Sequence, residues 1–522
     1  MRAWETLAVY LALAAAALVP VFAVPFPPVV DLPNHLARAY IMGNLARDAD
    51  LQRHYAVDWQ LLSFQSSDLI LPFLVKLVGI EASARIFIGA TFATLIGGVV
   101  ALHKALFGRV GLWPAAAFLL LYNFMFAWGL LSYLFTAGLA LILLAGWIHS
   151  AGRESMLRSA GFALGAVVLF FFHFFALAFF ALAVMAFELR RWLSDRRQLL
   201  RRIMLSGAVF AGPVGLFLMT PPGPIRLASV YGSRDDKIRA FLSPFTVYFE
   251  WPDFLLALAA IAALWIGHRQ RLLVLASPMR WPLAAVTLAA VLMPNRMMGV
   301  WGCDIRLPTI VLLLAIGGTD FIWKTRKQAM LAAGLIALMM LVRVGTMTAD
   351  WRPMATDFAE VRGAMAQLDR GSKVVVVQAL YDSRDPPAAS ILPYRHIAAF
   401  AVIDRDVFLP HLFSLATPLR FVSPGGVWTT GQLAFFRKPE WHRSGPAFAK
   451  ADTRTVHEVE QVQDAIQKFD QATSSIDWSD WPEQFDYLID FSYGPAQNPV
   501  PALLTELHKG SFFTIYRIHP PQ

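Results

Sequence analysis

The chain has 522 residues, of which 57% are hydrophobic and only 16% charged, with a mean hydropathy of +0.52. A soluble protein carries roughly a quarter charged residues, so the composition excludes an ordinary soluble chain and indicates a membrane protein. Much of the net charge of +9 sits in short loops between apolar runs, where it acts as an orientation signal rather than a nucleic-acid footprint.

The first run, "MRAWETLAVYLALAAAALVPVFAV", has the basic residue and apolar core of a secretory signal. It is long for one, and many apolar runs follow, so it reads as an uncleaved first helix. Directly after it, "VVDLPNHLARAYIMGNL" (29–45) turns polar at Asp31, with His35 and Arg38 inside about two helical turns. Asp31 is placed to cap a helix beginning near Pro33. His35 follows four residues later on the same helical face, and Arg38 is long enough to reach a headgroup or a ligand.

Further apolar spans are expected near 84–103, 112–129, 131–148, 159–172, 174–188, 203–220, 252–267, 281–294, 307–323 and 329–346, which with 6–24 makes eleven. Residues 69–80, "LILPFLVKLVGI", are too short to span and are expected to lie along the surface. The loops carrying Lys104 and Arg109, Arg153 and Arg158, "RRWLSDRRQLLRR", "RQRLLVLASPMR" and "KTRK" are basic and assigned to the cytoplasm. Basic loops flank both sides of 159–189, so the charge rule favours two short spans turning near His173 over one long helix. The N-terminus is then cytoplasmic and the C-terminus outside, as for a multi-pass protein of the cytoplasmic (inner) membrane with a periplasmic or extracellular C-terminal part.

Loops 25–68, 221–251 and 295–306 fall on the outer side. "SRDDK" (233–237) reads as a solvated loop. "PNRMMGVWGCDIRLP" (294–308) sets Arg296, Asp304 and Arg306 between two spans, either as an ion pair of Asp304 with one of the arginines or as a phosphate clamp. Cys303, the single cysteine, reads as a small buried residue and excludes an intrachain disulfide or a Cys-based zinc site. An ionisable residue in an apolar run is costly and often functional, which singles out His173.

From about Asp350 charged and aromatic residues mix with short apolar runs. "TDFAEVRGAMAQLDRG" reads as an amphipathic helix capped by Thr356 and ended by Gly371. The strand "SKVVVVQAL", a helix through about 453–470, the strand "FDYLIDF" (485–491), the helix "PALLTELHKG" and the strand "SFFTIYRI" (511–518) follow. The fold class is thus an α-helical polytopic membrane domain (1–346, with outer loop 25–68) followed by an extracytoplasmic α/β domain (347–522), its sheet partly parallel. No Gly-rich nucleotide loop precedes any C-terminal helix, so the sequence names no cofactor.

A carboxylate at the outer end of a first span is what a transferase using a lipid-linked donor requires. The donor's phosphate lies at headgroup depth, a carboxylate takes the proton from an acceptor hydroxyl, and Arg or Lys neutralises the leaving phosphate. The stretch 29–45 and "SSDLILPFLVKLVGIEASARIFIGATFATLIGGVVALHKALFGRVG" resemble the GT-C superfamily of membrane glycosyltransferases, which includes protein O-mannosyltransferases and lipid A aminoarabinose transferases. The specific residues of the resemblance lie in about the first 110, while the architecture extends it to nearly the whole chain.

The resemblance implies a polyprenyl-phosphate sugar as donor and an outer-leaflet lipid, glycan or protein as acceptor. It implies Asp31 as the catalytic acid residue; His35, Arg38, His173, Arg296, Asp304 and Arg306 are candidate substrate contacts by their own placement near the outer ends of spans. Two departures stand out: Leu32 follows Asp31 where many relatives carry a second acid, and "NFMFAWGLLSYLF" lacks the acid many carry after the third span. Both weaken a metal-dependent version of the chemistry, although a divalent metal stays open. An envelope-lipid transporter or flippase and a non-catalytic partner of a polysaccharide assembly system are the competing classes. The chain shows no repeat of one half in the other of the kind many carriers have.

Overall fold

The computed structural model describes residues 2–59, 61, 63, 66–194, 199–220, 229–248, 251–297, 300–378, 392–413, 418–422, 481–491, 498 and 501–519. The chain divides into two compact units, Met1–Leu32 with Trp59–Ala355, and Pro33–Asp58 with Thr356–Gln522.

The first unit is helical because its apolar runs are long and largely free of breakers. Among the described residues six helices are long and apolar enough to cross a membrane: Ala3–Ala23, Ile80–Phe107, Leu131–His149, Leu199–Met219, Trp251–Arg269 and the apolar part of Arg326–Met365. This is a multi-pass membrane protein. Of these helices, Leu131–His149 is the innermost, with 72% of its apolar window buried, whereas Leu199–Met219 at 17% leaves most of its surface for lipid. Leu131–His149 packs along Ile80–Phe107 closely enough that a Cβ on Gly98 would fall 2.8 Å from the Gly138 carbonyl oxygen, the close backbone approach that small residues permit.

Some of the other expected spans are shorter or more broken than an even hydropathy suggests. The run at 112–129 is no single helix: a 3-10 segment, Trp113–Leu120, opens with Pro114 in its first turn, and a short α-helix, Phe124–Trp128, follows. The Asn123 side chain accepts the Phe126 N–H to start that helix, and Gly129 ends it. Near 159–189 the helices Met156–Phe172 and Phe174–Ser194 meet at His173, whose backbone is extended (φ −168°, ψ 115°). The His173 N–H closes the first helix on Leu169, and its carbonyl accepts the N–H groups of Ala176 and Leu177 to open the second. A helix break thus falls where the turn was expected.

Residues 66–78 form the short helix Ser66–Val78, with Leu69, Phe73 and Leu77 exposed along one side. "SRDDK", expected as a solvated loop, instead opens the helix Arg234–Leu242. Ser233 and Asp236 bond reciprocally in a capping box, two donors satisfied at once. The helix Arg326–Met365 runs 40 residues and absorbs the expected separate helix at 356, so Thr356 is an interior residue rather than a cap.

In the second unit four strands lie in the order Val374–Gln378, Tyr487–Phe491, Phe513–Ile518, Leu504–Lys509. The first pair is parallel and the others antiparallel. Leu504–Lys509 corrects the helix expected in "PALLTELHKG": pairing with Phe513–Ile518 satisfies its backbone and overrides a spacing that also suits a helix. The helix expected through 453–470 lies outside the described residues.

Residues 33–58, expected as part of the membrane domain's outer loop, belong to this second unit. Tyr55–Val57 pairs antiparallel with Leu419–Phe421. The buried Tyr55 hydroxyl donates to the Val407 carbonyl and accepts from the Leu409 N–H, both at 2.9 Å. Polar side chains that looked like loop composition therefore serve as tertiary connectors.

Candidate functional site

In the first unit the chain leaves helix Ala3–Ala23, and the backbone N–H groups of Val30 and Asp31 donate to the carbonyls of Ala127 and Trp128 at 2.9 and 3.1 Å. Two such bonds at the end of Phe124–Trp128 fix where Asp31 stands. Asp31 is 8% exposed. A carboxylate so enclosed is costly unless polar or cationic groups are near.

The cation of this region is Arg306, in the first turns of the helix Cys303–Gly318, within electrostatic reach of Asp304 and, more weakly, of Asp31. Arg306 is buried; its Nη1 donates to the Trp301 carbonyl at 2.8 Å and also to the Gly302 carbonyl. Its guanidinium lies 5.1 Å from the ring centre of Phe175 and 5.9 Å from that of Tyr133, within reach of cation–π attraction. Tyr133 donates its hydroxyl proton to the Arg306 carbonyl at 3.0 Å and meets the buried His173 ring edge-on at 5.1 Å. Trp301 also packs on Trp128, with ring centres 4.6 Å apart. Asp31, Trp128, Trp301, Arg306, Tyr133 and His173 form one continuous chain of contacts, drawn from four separated stretches of sequence.

Asp304 pairs with neither arginine. Its carboxylate lies 3.9 Å from Lys237 and accepts from the Asn295 side chain at 3.2 Å, while Lys237 also donates to the Met293 carbonyl. The capped helix Arg234–Leu242 is what carries Lys237 to that position. Arg296 is exposed on a two-stranded hairpin, Arg296–Met297 with Val300–Trp301, where its backbone pairs with Trp301 and Val230. It is therefore at the rim, apart from the buried members. Cys303 is buried, as its setting implied.

His35 and Arg38 belong to the second unit. His35 is half-buried and edge-on to Phe413 at 5.7 Å; Arg38 is buried. The neighbouring Asn34 donates to the His411 carbonyl at 3.1 Å and accepts the Phe413 N–H at 3.0 Å, so this turn of the helix Leu32–Asn44 carries tertiary bonds of its own.

Sequence reasoning missed Trp128, Gly129, Tyr133, Lys237 and Trp301. Trp-Gly in "NFMFAWGLLSYLF" was a readable helix stop, yet its contact with Asp31 joins segments nearly a hundred positions apart. A second missed feature is the buried ion pair of Asp253 with Arg343. Arg343 also donates to the Tyr122 and Phe245 carbonyls at 2.9 and 2.6 Å, and Asp253 accepts the Val247 N–H at 2.9 Å. An arginine inside the apolar run 329–346 was the available signal. Among the described residues no group of three or more His, Cys, Asp or Glu is arranged to hold a metal ion.

No family model matches the chain, and no curated protein does. The chain is similar to crystal structures of ArnT from Cupriavidus metallidurans. The apo state gives 13% identity over 98% of each chain with a TM-score of 0.49. The form bound to undecaprenyl phosphate gives 14% identity over 77% of each chain with a TM-score of 0.43.

Proposed function

We propose that this protein is an inverting glycosyltransferase that moves a sugar from a polyprenyl-phosphate donor to an outer-leaflet lipid, glycan or protein. The observation that carries the reading is the run of contacts linking an enclosed carboxylate, Asp31, through Trp128 and Trp301 to a buried arginine, Arg306, in a membrane-embedded unit. The residues' likeness to the GT-C pattern at 29–45 supports it independently.

In this reading Asp31 takes the proton of the acceptor hydroxyl as its oxygen attacks the anomeric carbon. The bond from that carbon to the phosphate oxygen breaks, and polyprenyl phosphate leaves with the electron pair. Arg306 balances the charge that grows on the phosphate, an electrostatic effect strengthened by exclusion of water. Lys237 adds positive potential at the rim. His173 orients the aromatic wall beside Arg306, and Arg296 is proposed to contact donor or acceptor. The site is proposed to face the outer side, which a cytoplasmic placement of the basic loops supports.

The test is direct. Purified protein in lipid is supplied with labelled polyprenyl-phosphate sugars, and transfer or hydrolysis of the donor is followed. Consumption of one donor class supports the reading; protein that binds none and consumes none refutes it.

A further inference from the structure

Gly129 ends the helix Phe124–Trp128 at φ +99°, with its N–H directed to the Met125 and Phe126 carbonyls at 3.1 and 3.0 Å. A Cβ on this residue would stand 2.7 Å from the Asp31 backbone nitrogen, 2.7 Å from the Asp31 Cβ and 3.1 Å from its Cα. These are backbone and near-backbone atoms, so no side-chain swing relieves the overlap. The segment cannot simply step aside either, because the bonds of Val30 and Asp31 to the carbonyls of Ala127 and Trp128 hold it against this same turn.

We infer that Gly129 is a positioning residue for Asp31: the missing side chain lets the carboxylate settle at the depth from which it works. The inference rests on Asp31 acting as base. Ordinary helix termination would explain a glycine at positive φ but not the contact, and the two explanations separate by substitution. Asn tolerates the left-handed conformation that a helix stop needs, yet it carries a Cβ. Termination alone predicts that Gly129→Asn is harmless. Positioning predicts that it displaces Asp31, and a misplacement of about 1 Å costs on the order of a hundredfold in rate.

Two readouts are taken on the full chain in lipid. In the first, Cys303→Ser and Asp31→Cys are combined, and the reaction rate of the new thiol with a negatively charged methanethiosulfonate is compared with and without Gly129→Asn. A change of about tenfold or more in either direction is expected, since a displaced thiol differs in exposure and in distance from Arg306. In the second, with Asp31 and Cys303 intact, Gly129→Asn is expected to lower kcat for transfer about a hundredfold while the donor KM stays within about twofold.

An unchanged thiol rate overturns the inference, as does a changed thiol rate with unchanged kcat. A changed thiol rate in a protein whose wild type transfers nothing supports the displacement and removes the glycosyltransferase reading instead. Should Gly129→Asn fail to accumulate in the membrane, Gly129→Ala is read the same two ways. Failure of both to fold overturns the inference, because the glycine's role is then structural.

Discussion

The backbone N–H of Asp31 donates to the Trp128 carbonyl at 3.1 Å, so the carboxylate proposed as base is set by the end of another helix. Asp31→Asn leaves that backbone bond in place, and Asn is as good a helix cap as Asp. Only charge and basicity go. We expect the variant to insert and bind donor normally but to lose transfer by about 10²–10⁴, the usual worth of general-base catalysis. Steady-state kinetics of purified variant and wild type decide it, and normal turnover would make Asp31 a piece of architecture.

Arg306 is expected to act on the phosphate, and its fork matters as well as its charge. Arg306→Ala should weaken binding of a non-transferable donor analogue by roughly tenfold to a hundredfold, the worth of a charge-assisted contact of about 1.5–3 kcal/mol. Arg306→Lys keeps the charge but loses the planar fork held beside Tyr133 and Phe175, and is expected to recover only part of the affinity. Titration of the labelled analogue measures both. Full recovery by lysine would reduce the residue to a point charge.

How much of this was legible in the residues depends on range. The helix break at His173 was, because charge balance across 159–189 favours an interruption there, and the His173 N–H and carbonyl end one helix and open the next. Leu504–Lys509 was not: its apolar spacing suits a helix, and only the partner strand Phe513–Ile518 decides otherwise. Thr356 looked like a cap because Ser, Thr and Asp at such positions usually are, yet the helix Arg326–Met365 continues through Pro353. In the site, Asp31 and Arg306 stood out singly as charges at the ends of apolar runs. Their aromatic neighbours did not, since Trp128 and Trp301 gain meaning only by meeting each other.

The pair Asp253–Arg343 should be a stability determinant rather than part of the chemistry. Both side chains are buried, and the arginine is spent on two backbone carbonyls. Arg343→Met strands a buried carboxylate, a loss of about 3–5 kcal/mol for a pair broken on one side. Asp253→Asn combined with Arg343→Met removes that charge and is expected to be milder. Thermal unfolding in detergent compares them; a double variant less stable than the single one would show that the charge itself is not what the partner serves.

Orientation has its own test. We propose from the charge of the basic loops that the end of the chain is outside, so a reporter active only outside the cytoplasm, fused after Gln522, is expected to be active. Activity of a cytoplasmic reporter alone would invert the topology, and the outward site with it.

The second unit carries a pH dependence of unusual sign. Asp490 lies in the strand Tyr487–Phe491 between Val377 on one side and Thr514 on the other, 7% exposed. Its Oδ1 has no hydrogen-bond partner among the described residues. Burial raises its pKa from the ordinary 3.8 to about 6, so between those values the folded unit keeps a proton that the unfolded chain has released. Raising the pH through that window therefore favours unfolding, by up to about 3 kcal/mol in all, and the loss is complete above about pH 6. Paired carboxylates do the reverse. Asp490→Asn removes the titration and is expected to stabilise the unit at pH 7.5 while changing it little near pH 4. The comparison is the ratio of protease cleavage rates, wild type to variant, for the full-length protein in detergent: the ratio should rise from near one at pH 4 to at least about tenfold at pH 7.5. A ratio that stays flat across this range would mean that Asp490 has company, and that its burial costs the fold nothing.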